Sequence, residues 1–337
     1  MINKGLKNKV VLSVFAGAML FSCAASAAEI VLDNVDTTQD KWYESYGLKQ
    51  SSSGIGTGSI VIPDNQTDTL NLKNLEGTEY FANVTNVYNS TLIKGGVVGG
   101  FAEEGNADIV SNNTVSVTDS KMSLIAGAFS NEYDVNNNIV TANKVKGGTV
   151  IYGGFTGSNG ENSANGNKIY ITNSDISNVY AGYAVGKAGN ANGNIVYLNN
   201  SKIEGAESYI GYAKNGTANG NGLVIENGST VVGSVVAGSG TKGAIGNFVT
   251  IRGENDLSDA NLTGWVYLGV HSGNALNIDN FTGDIAMISA FDIINFENLD
   301  FTKKEILNIT KAVLELENTQ IAISSIAGGK ILKLVTV

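Results

Sequence analysis

His271 is the only histidine in the chain, Arg252 the only arginine and Cys23 the only cysteine. Any catalytic chemistry must be built around these three or from carboxylates alone. A metal centre or a serine–histidine pair needs further partners at fixed geometry. His271 stands in GVHSGN with no second His or Cys to join it, so it reads as a surface or turn histidine. Glycoside hydrolysis needs two carboxylates flanking a cleft. Asp119 and Asp175 occupy similar loop positions but each is alone, and Arg252 has no acidic column beside it. Glu254, Asp256 and Asp259 crowd one short stretch, which reads as a solvated turn in a longer coil. The Gly-Gly pairs lack the Asp of a calcium-binding nonapeptide repeat. GKAGNANG at 186–193 resembles a phosphate cradle only in composition, since no helix follows to present its N-terminus. The residues therefore predict no catalytic site, no metal and no cofactor.

What would position such residues is equally distinctive. The 337 residues include 42 Gly, one Pro and 42% apolar residues. Glycine is not every third residue, which excludes a collagen helix, and the apolar content is too high and too regular for disorder. The formal net charge is −10. It becomes −13 for a chain starting at Ala28, because Lys4, Lys7 and Lys9 precede the first acidic residue, Glu29. Such a surface repels nucleic acid and anionic lipid.

Those three lysines begin an export signal. Val10 to Phe21 is an apolar run too short to span a bilayer, and Ala25-Ser26-Ala27 supplies the small residues of a cleavage site before Ala28. Residues 1–27 are therefore expected to be a signal peptide read by the Sec pathway. A second reading stays open: Leu20-Phe21-Ser22-Cys23 is similar to a lipobox, in which Cys23 would be lipidated. Cleavage before Ala28 would leave a mature chain without thiol chemistry.

The rest of the chain repeats. Asn113, Asn138, Asn167, Asn194, Asn221, Asn247 and Asn274 recur at gaps of 25, 29, 27, 27, 26 and 27 residues. Two and four positions after each lie aliphatic residues, from Val115 and Val117 to Leu276 and Ile278, with Ala142 the one small exception. This is the period-two pattern of a strand with one buried face. A second strand precedes each polar loop, written VVGGF, IAGAF, IYGGF, VYAGY, SYIGY, VVAGS and VYLGV. Its small-residue column is Gly100, Ala128, Gly154, Gly182, Gly211, Gly238 and Gly269. A unit near 27 residues without helical periodicity excludes ankyrin repeats and propeller blades. It fits one coil of a right-handed parallel β-helix, an all-β solenoid in which each rung buries its face only against its neighbours. Seven rungs would rise about 34 Å. The seven asparagines form the expected structural ladder, bonding up and down the stack, with Gly before them easing the bend.

Alternation in the second strand divides its aromatics. Phe101, Phe129, Phe155, Tyr183 and Tyr212 are expected inside. Tyr152, Tyr180, Tyr209 and Tyr267 are expected outside, beside a flat glycine strip. That outer row is the candidate binding ladder, able to grip glycan rings or a partner protein. Its alternative role is to brace neighbouring strands.

The signal peptide, the YGGF…GN rungs and the acidic Gly/Asn-rich body resemble the passenger regions of bacterial autotransporters, the type V secretion adhesins. NALNIDNFTGDIAMISAFDIINFENLDF at 274–301 and ILNITKAVLELENTQIAISSIAGG at 306–329 are similar to the end of such passengers. The resemblance covers roughly residues 95–335. It implies a Gram-negative surface, outer-membrane or secreted location, an adhesive role in virulence, and a host or bacterial surface protein or glycan as partner. The family's membrane barrel has no room before Thr336-Val337, so a translocator would act in cis from further sequence or in trans. The expected division is 28–95 as an N-terminal cap with degenerate rungs, 96–280 as regular rungs and 281–337 as a C-terminal β-rich segment. Trp42, Tyr43 and Tyr46 would belong to the cap. The same fold also suits an outer-membrane lipoprotein or a polysaccharide-acting enzyme.

Overall fold

The computed structural model describes residues 11–13, 28–33, 60–61, 68–72, 83–102, 110–157, 160–267, 269–281, 283–300, 306–313, 319–327 and 331–336. The expected cap residues Trp42, Tyr43 and Tyr46 lie outside them. Over the described residues the chain is an all-β solenoid of about eight turns with roughly 27 residues per turn, with no α-helix among them.

Among the described residues the turns build a 12-stranded sheet and a 13-stranded sheet, one strand to each per regular turn, with one turn's second strand split into Lys202–Ile203 and Glu207–Ala213. In the first sheet, Thr114–Thr118, Ile139–Asn143, Lys168–Thr172, Ile195–Asn199, Gly222–Glu226, Phe248–Arg252 and Ala275–Asp279 stack in parallel without slippage. Register is held by alternation: a shift of one residue would turn every aliphatic to solvent. Val115, Val140, Ile169, Val196, Leu223, Val249 and Leu276 form one fully buried column, and Val117 through Ile278 form the next. The second sheet contains Thr91–Ala102, Lys121–Ser130, Thr149–Thr156, Asp175–Ala184, Glu207–Ala213, Thr230–Gly240 and Asp256–Val266. At the N-terminal end both sheets finish on antiparallel pairs, Val11–Ser13 on Ala28–Asp33 and Ile60–Val61 on Asp68–Leu72.

The polar loop is itself a third side. Successive loops bond through their backbones, Val135 N–H to Ser163, Ala164 to Asn190, Ala191 to Thr217 and Ala218 to Gly243, at 2.8 to 2.9 Å. Ala164, Ala191 and Ala218 point inward and form a small core with Ala184 and Ala213. In the earlier rungs the same inward position is held by Val110 and Val135, which pack with Ala128. Two left-handed turns close each rung. One is the residue before the ladder asparagine, Asn112, Asn137, Gly166, Gly193, Gly220, Gly246 or Gly273, with φ from 58° to 66°. Gly and Asn are the residues that accept this conformation cheaply.

The other turn follows the first sheet, at Asn89, Asp119, Lys144, Asn173, Asn200, Asn227, Gly253 and Asn280. Beside it runs a buried serine ladder: Ser90 N–H donates to Ser120 Oγ, Val145 to Ser174 and Ser174 to Ser201, at 2.9 to 3.0 Å. The Asn-Ser and Asp-Ser pairs that mark it are visible in the sequence but do not figure in the sequence reading.

Candidate functional site

The buried amide ladder fixes everything outside it. Asn113, Asn138, Asn167, Asn194, Asn221, Asn247 and Asn274 are all 0% exposed. Each Oδ1 from Asn138 onward accepts both the backbone N–H and the side-chain Nδ2 of the asparagine one rung before, at 2.9 to 3.0 Å. Nδ2 also reaches a loop carbonyl, as from Asn194 to Ala164 at 2.9 Å. The eighth position, 18 residues after Asn274, is Asp292, whose Oδ2 accepts the last two donors at 2.8 Å. An ionised carboxylate only accepts, so it ends the chain of donors.

This ladder explains the glycines. Gly100, Ala128, Gly154, Gly182, Gly211 and Gly238 are register partners. A Cβ at Gly154, Gly182, Gly211 or Gly238 would collide with Nδ2 of Asn167, Asn194, Asn221 or Asn247. The column is therefore buried against the asparagines and is not the flat outer strip expected from alternation. Its seventh member is Trp265, partner of Gly238, and not Gly269. Register shifts in Asp256–Val266 move this rung out of step with its sequence repeat.

The aromatic assignment changes for a related reason. Two consecutive residues, Gly153 and Gly154, are both buried. The alternation breaks there, and Phe155 emerges on the same side as Tyr152. Phe129, Phe155, Tyr183 and Tyr212 are half-buried on the outer face, not stacked in the interior. Nothing is described of the Phe101 side chain. Tyr152, Tyr180 and Tyr209 are register partners and occupy the outer row as expected. Tyr267 does not: Thr263 follows Val236 in that column. Tyr267 is 44% exposed with φ 92° and hydrogen-bonds Tyr212 from two rungs further on.

The result is a double row of rings. Tyr152 and Tyr180 stack at 4.9 Å, Tyr180 and Tyr209 at 6.4 Å, Phe155 and Tyr183 at 5.7 Å, and Tyr183 and Tyr212 at 4.5 Å. Between rows the rings stand nearly perpendicular. Stacking along each row occupies the ring faces, so most of the strip offers edges and hydroxyls. Burial, with smaller contributions from Tyr180 and Tyr183, pushes the Tyr152 phenol up to about 12. Burial first and then Tyr267 push Tyr212 up to about 12 as well. Partial burial first, and then its donation to Glu207 Oε1 at 2.6 Å, also raises the half-buried Tyr209. These phenols stay neutral donors at physiological pH.

The isolated ionisable residues find structural partners. His271 Nδ1 lies 3.3 Å from Asp292 Oδ1, and its ring stacks on Trp265 at 3.7 Å. Contrary to the sequence reading, Arg252 does have an acidic column: Glu226 lies 3.0 Å away on the preceding rung and Asp279 3.8 Å away on the following one. Exposed pairs of this kind contribute about 0–1 kcal/mol each. Asp119 sits in a left-handed turn while Asp175 opens a second-sheet strand opposite Lys202, so their positions are not equivalent. Asp256 and Asp259 are exposed on a strand, not in a turn, and Asp256 Oδ1 accepts from Ser258 Oγ at 2.8 Å. Among the described residues no group of three or more His, Cys, Asp or Glu could hold a metal.

No family model matches the chain, and searches of curated proteins and of solved structures return no similar protein.

Proposed function

We propose that the chain is an exported, surface-held adhesive rod of the kind resembled by autotransporter passengers, and that its binding surface is the double aromatic row. The observation that carries this reading is the outward placement of seven rings, Phe129, Tyr152, Phe155, Tyr180, Tyr183, Tyr209 and Tyr212, across four consecutive rungs. Aromatic side chains that combine apolar area with a polar handle are enriched at interfaces. The signal-like residues 1–27 and the acidic body support export, and a translocator in cis or in trans would serve secretion. A lipid anchor on Cys23 is the second reading, favoured by Leu20-Phe21-Ser22-Cys23. Mass spectrometry of the mature N-terminus separates an acylated Cys23 from a free Ala28.

The test replaces Tyr152, Tyr180 and Tyr209 together by Ser in cells displaying the chain. Adhesion to host cells, matrix or neighbouring bacteria should fall by about tenfold or more, as expected on losing a cluster of aromatic anchors, while circular dichroism of the purified variant stays unchanged. Undiminished adhesion by the folded variant would contradict the proposal.

A further inference from the structure

The aromatic face is not uniform along its length. From Tyr152 to Tyr212 the rings of each row lie face to face. At the N-terminal end the stacking breaks. Phe129 stands at 74° to Tyr152 and at 76° to Phe155, with centroids 5.4 Å from each, and Tyr152 and Phe155 stand at 87° to one another, 5.7 Å apart. Three ring planes at near right angles, all neighbours, form the inside of a corner. A cavity of about 300 Å³ opens at this point, walled by Leu124, Phe129, Tyr152 and Phe155, with Ser130 and Asn131 at its polar side. It is at the small end of the range for ligand pockets.

We propose that this corner binds an alkylated ammonium group. The face of an aromatic ring carries negative charge and attracts a cation within about 6 Å of its centroid, most strongly where water is excluded. A group seated in the cavity has all three rings among its walls. None of the lining residues is basic, and the chain's formal net charge of −10 favours a cation over an anion. A methylated cation also suits walls that provide apolar area and few hydrogen-bond acceptors. An inorganic cation or a protonated primary amine would give up more hydration than these walls return. The inference narrows the adhesive reading to a ligand class and takes its biological setting from it, but its test does not depend on adhesion.

The full chain is titrated by calorimetry, at constant ionic strength, with choline and with its uncharged isostere 3,3-dimethylbutan-1-ol. Choline should bind saturably and about tenfold more tightly than the isostere. Phe129→Leu, which keeps apolar volume but removes one wall, should lose about tenfold. Phe129→Tyr, which keeps the wall, should bind as the parent does, and Tyr170→Leu on the opposite sheet should be unaffected. Equal binding of the two probes, no saturable binding of choline, or full binding by Phe129→Leu would overturn the proposal. Loss of adhesion on changing the tyrosine row alongside unmeasurable choline binding would leave the adhesive reading standing and remove this one.

Discussion

Asn194 shows how much one side chain can determine. Its Oδ1 satisfies two buried donors of Asn167, and its Nδ2 satisfies Asn221 and the Ala164 carbonyl. Asn194→Ala should cost roughly 2–5 kcal/mol in denaturant unfolding, because buried partners are left unpaired. Asn194→Asp should cost more, since a buried carboxylate would face the Asn221 oxygen without a proton to share. Asp292 holds the same column position without that penalty because it is the terminal acceptor and is partly exposed beside His271. The asparagines were legible in the sequence because their spacing repeats. The terminating Asp292 was not, because its interval of 18 residues departs from the repeat.

At the scale of the strand, glycine has two distinct uses that composition cannot separate. Gly182 is small because Asn194 and the Ala164 carbonyl press on it. Gly193 has nothing within 4 Å of a Cβ but holds φ 66°. Gly182→Ala should therefore destabilise by about 1–3 kcal/mol or more through overpacking. Gly193→Asn should be tolerated within about 1 kcal/mol, since Asn112 and Asn137 occupy that turn position in other rungs. Thermal or denaturant unfolding of the two variants checks the order. The same ambiguity explains why the aromatic rows were only half legible. Two adjacent buried residues, Gly153-Gly154, Ala181-Gly182 or Ile210-Gly211, invert the alternation in each rung, so Phe155, Tyr183 and Tyr212 read as interior and lie outside. Tyr267 was placed by a repeat that resembles its neighbours in letters, VYLGV, but has slipped in register.

At the scale of the molecule, a solenoid is stabilised rung upon rung, and the columns show where that support stops. Ile294 and Phe296 are buried, yet their register partners Ile321 and Ile323 are 47% and 51% exposed. The same inward positions are covered in one rung and uncovered in the next. Ile294→Ala should cost about 2–5 kcal/mol, as other buried Ile-to-Ala changes do. Ile321→Ala should cost under about 1 kcal/mol, and paired denaturation curves measure the difference. Length, strand periodicity and rung number were legible because every coil repeats the same inward pattern. The third side was not, because its inward residues, Val110 and Val135 apart, are alanines amid Asn and Gly and carry little hydropathic contrast.

Directed disulfide formation tests the vertical stacking most directly. In a Cys23→Ser background, Thr172→Cys paired with Asn199→Cys joins register partners on adjacent rungs, about 4.8 Å apart and within bridging range. Thr172→Cys paired with Glu226→Cys spans two rungs, about 10 Å and beyond it. The account predicts rapid oxidation of the first pair and none of the second in the folded chain. Equal oxidation of both pairs, or failure of the first, would contradict it.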